Sequence, residues 1–247
     1  MASLDGKRAL VTGASSGIGA ATVRALREAG ARVVGGARRT ERVDADVALE
    51  LDVTDPASSR RFVEAAVAEL GQIDVLVNNA GLALGREPFW EGSDEDEETV
   101  IGTNVLGLMR MTRLCLPHLA DWSHIVNLGS VAGIWSYPSG SSYVASKFAV
   151  HGYTRAIRDD LQGRPVRVTN VAPGLVETEG FSKTRFRGDE EKAASVYANV
   201  AVGGPLHAED VVDCIMFAVT RPRHVNIDEI VVMALAQTSG SNVARTS

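Results

Sequence analysis

Cysteine is scarce in this chain. Cys115 and Cys214 are the only two among 247 residues, and both lie in apolar, helical-looking surroundings far apart in sequence. That usage excludes a disulfide framework and a zinc-ligand spacing, and makes a reducing compartment the default. An excess of positive charge is also missing: 25 Lys and Arg against 31 Asp and Glu leave a formal net charge of −6. A nucleic-acid binder needs a basic stripe to neutralise phosphates, and a membrane-surface anchor needs a polybasic cluster, so neither partner is expected. No run approaches the ~20 apolar residues of a membrane-spanning helix. The opening Met1-Ala2-Ser3-Leu4-Asp5-Gly6 has neither the basic nor the apolar part of a signal peptide. The expectation is a soluble, cytoplasmic protein. Interdomain linkers, internal repeats and low-complexity blocks are absent too. A chain of this length buries roughly 70–75% of its unfolded surface, so residues 1–247 are expected to form one domain.

What the sequence does hold is an alternation of short apolar runs and longer amphipathic stretches. Strands are expected at residues 8–12, 32–36, 47–51, 73–77, 124–128, 167–171 and 229–233. Helices are expected at 18–29, 56–70, 94–116 and 143–161, with two more near 189–199 and 208–220. Strands apolar on both faces, alternating with helices, imply an α/β fold: a doubly wound parallel sheet covered on both sides. Only residues 37–46 separate the second and third strands, too few for a helical crossover, so a single turn is expected there. Residues 174–188 carry no periodic pattern, and a loop of that length reads as a lid or binding loop. Ser93 before the acidic run 94–98 reads as a helix cap, with Asp96 completing a capping box; a partner-binding acidic tract is the alternative.

Four motifs carry chemistry. Thr12-Gly13-Ala14-Ser15-Ser16-Gly17-Ile18-Gly19 lies between a strand and a helix. Glycines there let the backbone approach a pyrophosphate, and the helix start offers free N–H groups. The spacing is G-x-x-x-G-x-G, and an ordinary tight turn is the competing reading. Arg38 and Arg39 follow the second strand, where a dinucleotide fold faces the adenosine ribose. Arginine forks there suit a 2′-phosphate and favour NADP, whereas an acid would favour NAD; a solvated pair is the alternative. Asp52 and Val53 after the third strand read as an adenine-lining pair or as a helix cap. Asn78-Asn79-Ala80-Gly81 ends the fourth strand, as a ligand crevice or a structural turn. Ser130 follows the fifth strand, with Tyr143 and Lys147 beyond it. The spacing of the last two puts them on one helix face. An ammonium near a phenol lowers the phenol pKa and makes tyrosine a usable acid/base. A surface helix pair is the alternative. The histidines show no metal spacing, and no metal is expected.

In this order, the motifs identify the chain as similar to the short-chain dehydrogenase/reductase family over essentially its whole length. The resemblance implies a Rossmann-like sheet of about seven strands and a nicotinamide cofactor held by the glycine motif. It implies Tyr143 as the catalytic acid/base, Lys147 as ribose anchor and source of the charge, and Ser130 as holder of the substrate oxygen. Asn104, in Thr103-Asn104-Val105-Leu106-Gly107, matches the family's fourth catalytic residue, which supports a water relay to the lysine. Pro173, Gly174, Val176 and Thr178 match the segment at the nicotinamide end. More narrowly, residues 78–85, 174–193 and 224–237 resemble the NADP-dependent 3-hydroxy acid (serine and L-allo-threonine) dehydrogenase and malonic semialdehyde reductase branch. That implies a small 3-hydroxy acid or its carbonyl as substrate. A carboxylate needs a cationic clamp, and the lid holds Lys183, Arg185, Arg187 and Lys192. Arg185 is the first choice, because a guanidinium fork suits a carboxylate; a solvated basic lid is the alternative. Trp90 and Trp135 are expected at the substrate entrance, where they would favour bulkier carbonyls. The competing functions are a carbonyl reductase for larger ketones or aldehydes and a non-catalytic NADP(H) sensor. Family members commonly associate as tetramers through the two long helices, so a homo-oligomer is expected, with a tetramer favoured over a dimer. Phe148, Val150 and Tyr153 serve either that interface or the core.

Overall fold

The computed structural model describes residues 3–178 and 180–246. Seven parallel strands among them form one sheet: β1 (Arg8–Thr12), β2 (Arg32–Ala37), β3 (Val47–Glu50), β4 (Ile73–Asn78), β5 (Leu119–Leu128), β6 (Val166–Pro173) and β7 (Glu229–Val232). Their order is β3-β2-β1-β4-β5-β6-β7. Successive strand residues face opposite sides, so each strand feeds two cores. Val11 of β1 joins Val23 and Leu26 of α1 (Gly17–Glu28) and Val211 and Ile215 of α8 (Ala208–Val219). Leu10 turns the other way, to Phe62 and Ala66 of α2 (Pro56–Leu70) and to Met111 and Cys115 of α4 (Leu108–Cys115). Each of the larger of these side chains (Val, Leu, Ile, Phe, Met) contributes about 1.5–3 kcal/mol on burial, which holds both helical layers to the sheet. The strand order reverses between β1 and β4, and that switch point opens a crevice at the carboxyl ends of the strands.

The crossover between β2 and β3 is a single 3₁₀ turn, Thr40–Arg42, as its length predicts. The expected helix over 94–116 is divided. α3 (Asp94–Ile101) runs into a π-helical turn, Gly102–Gly107, before α4. Glycine closes each end of that wider turn, and a Cβ on Gly107 would stand 2.8 Å from Val53. Strand β5 begins at Leu119, earlier than expected. The polar stretch Asp121-Trp122-Ser123 hides its start, and Trp122 sits at φ +65° where the register with β4 shifts. His124 is therefore inside the strand, fully buried, 2.7 Å from Thr169 Oγ1. Burial pushes its pKa down to about 3, with Arg167 acting the same way, so the ring is neutral. The expected loop 174–188 contains a short helix, α6 (Phe181–Arg185), and α7 (Glu190–Ser195) is shorter than the 189–199 expectation. Ser93 caps α3 through Asp96 N–H at 3.2 Å, but the Asp96 carboxylate pairs with Arg187 instead of closing the capping box.

The last long helix, α5 (Ser141–Asp160), buries Val150 and leaves Phe148 exposed. A buried polar ladder ties it to the sheet. The Asn78 amide donates to Thr112 Oγ1 and Asn127 Oδ1, and the Asn127 amide donates to Thr154 Oγ1, each at 2.9 Å. No helix among the described residues is long and apolar enough to cross a membrane.

Candidate active site

The crevice is a cavity of about 740 Å³ running from the ends of β2 and β3 past β1 and β4 to the lid. At its floor, Gly13 adopts φ +67° and Gly17 φ +53°, and a Cβ on Gly19 would lie 2.2 Å from Gly13 O. The turn is thus drawn tight against the start of α1. Ser16, the N-cap, makes no side-chain hydrogen bond to the helix start, which leaves those N–H groups for an anion. Asn79 holds the turn from behind: its amide donates to Thr12 O at 2.9 Å and Gly13 O at 3.1 Å. Thr12 Oγ1 accepts from the N–H groups of Asn79 and Ala80, both at 3.0 Å.

Gly13, Ser15, Ser16, Gly17 and Ile18 line this floor, while Gly19 stands behind it as the point of close packing. Arg38 and Arg39 are exposed at one end of the cavity, with Asp52 and Val53 beside them. Asp52 accepts from Thr54 N–H and hydroxyl, and the α2 cap is Asp55, whose carboxylate accepts from Ala57 and Ser58 N–H. The helix-cap reading of Asp52 is therefore set aside. Asn79, Ala80 and Gly81 form the middle wall; Pro173, Gly174, Val176 and Thr178 face them from the end of β6 and the segment after it.

Ser130, Tyr143 and Lys147 converge on the same cavity. Ser130 follows β5, where its hydroxyl accepts from Ala132 N–H at 3.1 Å. Tyr143 and Lys147 lie one turn apart on α5, with the Lys147 ammonium 5.7 Å from the phenol ring centre. That ammonium is buried and donates to Leu128 O at 2.8 Å. Burial pulls its pKa down to about 8. Burial pushes the Tyr143 phenol well above its ordinary value, with Tyr137 acting the same way, while the Ser130 hydrogen bond and the charge of Arg185 pull it back. In this geometry burial outweighs the neighbouring charges, so the phenol keeps its proton at neutral pH. Asn104 stands behind the lining in the π turn. Its amide donates to Leu82 O and Ser146 Oγ and accepts from Leu82 N–H.

The segment after β6 separates its four cations. Lys183 pairs with Glu190, Arg187 with Asp96 and Lys192 with Asp189. Arg185 is different. Its Nε donates to Gly85 O at 3.1 Å, its guanidinium lies 5.9 Å from the Tyr143 ring centre and 5.5 Å from that of Tyr137, and its Nη2 is buried with no hydrogen-bond partner among the described residues. Neither Trp90 nor Trp135 lines the cavity; the aromatic wall is made by Tyr137, Phe181 and Tyr197. Phe181 meets Tyr143 edge to face at 5.8 Å. Arg86, Tyr137, Tyr197 and Arg245 were not singled out by sequence. They come from loops and the tail and share no spacing that marks them; Arg86 stands next to the 78–85 segment that did draw notice.

Comparison with known proteins agrees with this arrangement. A family model described as short chain dehydrogenase matches residues 7–187. The NADP-dependent 3-hydroxy acid dehydrogenase YdfG of Escherichia coli (strain K12) is 41% identical over 247 residues, covering 96% of this chain and 98% of the relative. The NADP-dependent 3-hydroxy acid dehydrogenase of Schizosaccharomyces pombe is 40% identical over 260 residues, covering 99% of each. Among solved structures, the closed form of a serine dehydrogenase complexed with NADP+ superposes with a TM-score of 0.89 at 41% identity, covering 97% of this chain and 100% of the other.

Proposed function

This chain belongs to the short chain dehydrogenase family, and from that premise we propose that it interconverts a small 3-hydroxy acid and its carbonyl, using NADP(H). The cofactor reading rests on the fit of the cavity floor. A glycine turn closed to any Cβ, an uncapped helix start and the exposed pair Arg38 and Arg39 suit a pyrophosphate and a 2′-phosphate respectively. Residues 174–200 act as the lid of a single domain, residues 1–247. The exposed side chains of Leu106 and Phe148 on the two long helical stretches support a homo-oligomer; the family resemblance favours a tetramer, and the scarce, unpaired cysteines favour the cytoplasm as its compartment.

When bound, the cofactor supplies or accepts the hydride. In reduction, Tyr143 donates its proton to the carbonyl oxygen as that oxygen becomes an alkoxide. Ser130 hydrogen-bonds the same oxygen and fixes the carbonyl beside the phenol. Lys147 keeps a positive charge one helical turn away, which favours the phenolate left behind, and offers its N–H groups to the cofactor ribose. Asn104 joins α3–α4 to α5 through Ser146, whose hydroxyl donates to Tyr143 O, and so positions the tyrosine.

Arg185 carries the substrate assignment. A guanidinium nitrogen buried without a partner, against the ring of the proposed acid/base, leaves a strong donor unsatisfied; a carboxylate satisfies it bidentately. The test is a rate panel of 3-hydroxypropionate, L-serine and uncharged aldehydes and ketones with wild type and Arg185→Ala. A charge-assisted hydrogen bond is worth about 1.5–3 kcal/mol, so kcat/KM for the acids falls about 10- to 150-fold, with a much smaller effect on uncharged carbonyls. Equal losses on both classes contradict the clamp, and preference for bulky ketones replaces the hydroxy acid reading with a carbonyl reductase.

A further inference from the structure

The lid arginine is not alone in the cavity. Arg86, on the loop after β4, places its guanidinium 5.8 Å from the ring centre of Tyr137, the same ring that Arg185 approaches at 5.5 Å. A third guanidinium, that of Arg245 in the C-terminal tail, lines the same cavity and donates from Nη1 to Ala198 O and from Nη2 to Val196 O. Among the described residues no carboxylate pairs with Arg86. Its pKa is held below the ordinary guanidinium value, first by burial and then by the charge of Arg185, with Arg245 adding to it and Tyr137 opposing. Two cations thus share one tyrosine at the substrate end, far from Arg38 and Arg39. Two like charges on a half-buried wall raise the energy of the empty site, and one substrate carboxylate leaves a net positive charge that a second carboxylate would offset.

We infer that Arg86 and Arg185 together select hydroxy acids that carry a second carboxylate, Arg185 holding one end of the substrate and Arg86 the other. This rests on the reading that the site takes a 3-hydroxy acid. The Tyr137 ring is the common neighbour of the two guanidiniums, and all three side chains line the cavity. The reacting hydroxyl then lies between the carboxylates, within reach of Tyr143, which Arg185 also touches.

The experiment compares 3-hydroxyglutarate with 3-hydroxybutyrate, which differ by a carboxylate, in wild type, Arg86→Met and Arg86→Lys. Wild type is expected to favour the diacid in kcat/KM by about tenfold or more, a preference that shrinks as salt is raised. Arg86→Met is expected to lower the diacid-to-monoacid ratio about tenfold, through KM of the diacid, and Arg86→Lys to retain part of it. A second readout needs no turnover: glutarate raises the melting temperature of the cofactor-free wild type more than butyrate does, and the difference disappears in Arg86→Met. Equal kcat/KM for the two acids in wild type, or a preference that survives Arg86→Met, overturns the inference while leaving the monoacid reading standing. If neither acid turns over and uncharged ketones do, the 3-hydroxy acid reading fails. The melting shifts then decide the arginine pair separately, and an absent or Arg86-independent glutarate effect overturns it.

Discussion

A phenol pushed above its ordinary pKa by burial has a direction built into it. In the acid/base role proposed for Tyr143, the protonated form is the one reduction needs, and it persists through neutral pH and beyond. The deprotonated form is the one oxidation needs, and it grows only as pH rises toward the elevated value. Reduction is therefore expected to be flat across neutral pH, and oxidation to climb steadily on the alkaline side, both measured as kcat at saturating NADPH or NADP+. Replacing Tyr143 by Phe removes the proton in both directions and is expected to cost about 10²–10⁴-fold in kcat, with NADPH still bound by fluorescence titration; near-normal turnover would sink the assignment. At this scale Ser130, Tyr143 and Lys147 were legible because the residues after one strand and along one helix face are set by local geometry. Arg185 was legible as one of four lid cations, but only the fold shows which one is left without an anion. Arg86 and Tyr137 left no trace in the sequence, since two loops distant in sequence must meet before their side chains mean anything together.

The elements differ in how much of them periodicity can show. Strands β1, β2 and β4 have buried apolar centres and were readable to within a residue. The start of β5 was not, because Asp121 and Trp122 break the apolar run exactly where no core lies beside them to require one. The division of the 94–116 helix was invisible for another reason: a π turn adds little to the apolar pattern, and its signature is the pair Gly102 and Gly107 together with contacts from Asn104 made across the fold. The glycine turn is the element on which a single atom decides most. A methyl on Gly19 would meet Gly13 O at 2.2 Å, and that oxygen is backbone, so it does not yield without moving the turn. Gly19→Ala is expected to weaken NADPH binding at least about tenfold and to cost about 1–3 kcal/mol in stability through overpacking. Fluorescence titration and urea melts measure the two effects, and an unchanged Kd would mean the turn is not where the cofactor is held.

Over the whole molecule, the two ends of the sheet do different work. The carboxyl ends of the strands open into the cavity; the amino ends are tied by charge. Asp74 at the start of β4 accepts from Lys7 Nζ at 2.9 Å, Arg8 Nε at 2.7 Å and Arg8 N–H at 3.1 Å. Burial alone would raise this carboxyl, but the bonds from Arg8 and Lys7 outweigh it and hold it below its ordinary 3.8. A carboxylate depressed in the folded state adds stability above its unfolded pKa and loses it as pH falls through the folded one. Asp74→Asn is expected to cost about 1–3 kcal/mol at pH 7, discounted for the partly exposed partners, with the gap to wild type closing below pH 3.8. Urea melts at neutral and acid pH check it; a gap that does not change with pH would assign the loss to packing. The parallel sheet and both helical layers could be read from sequence, because one apolar pattern recurs along the chain. The line of amides and hydroxyls from Thr112 through Asn78 and Asn127 to Thr154 could not, since each member alone looks like an ordinary polar residue. Its consequence is mechanical. Greasy surfaces let a helix roll or slide by fractions of a turn at little cost, whereas a directed bond from Asn127 to Thr154 admits one setting. The angle at which α5 presents Tyr143 and Lys147 is thus indexed about two turns further along the same helix, like a shaft keyed to its hub below the working end.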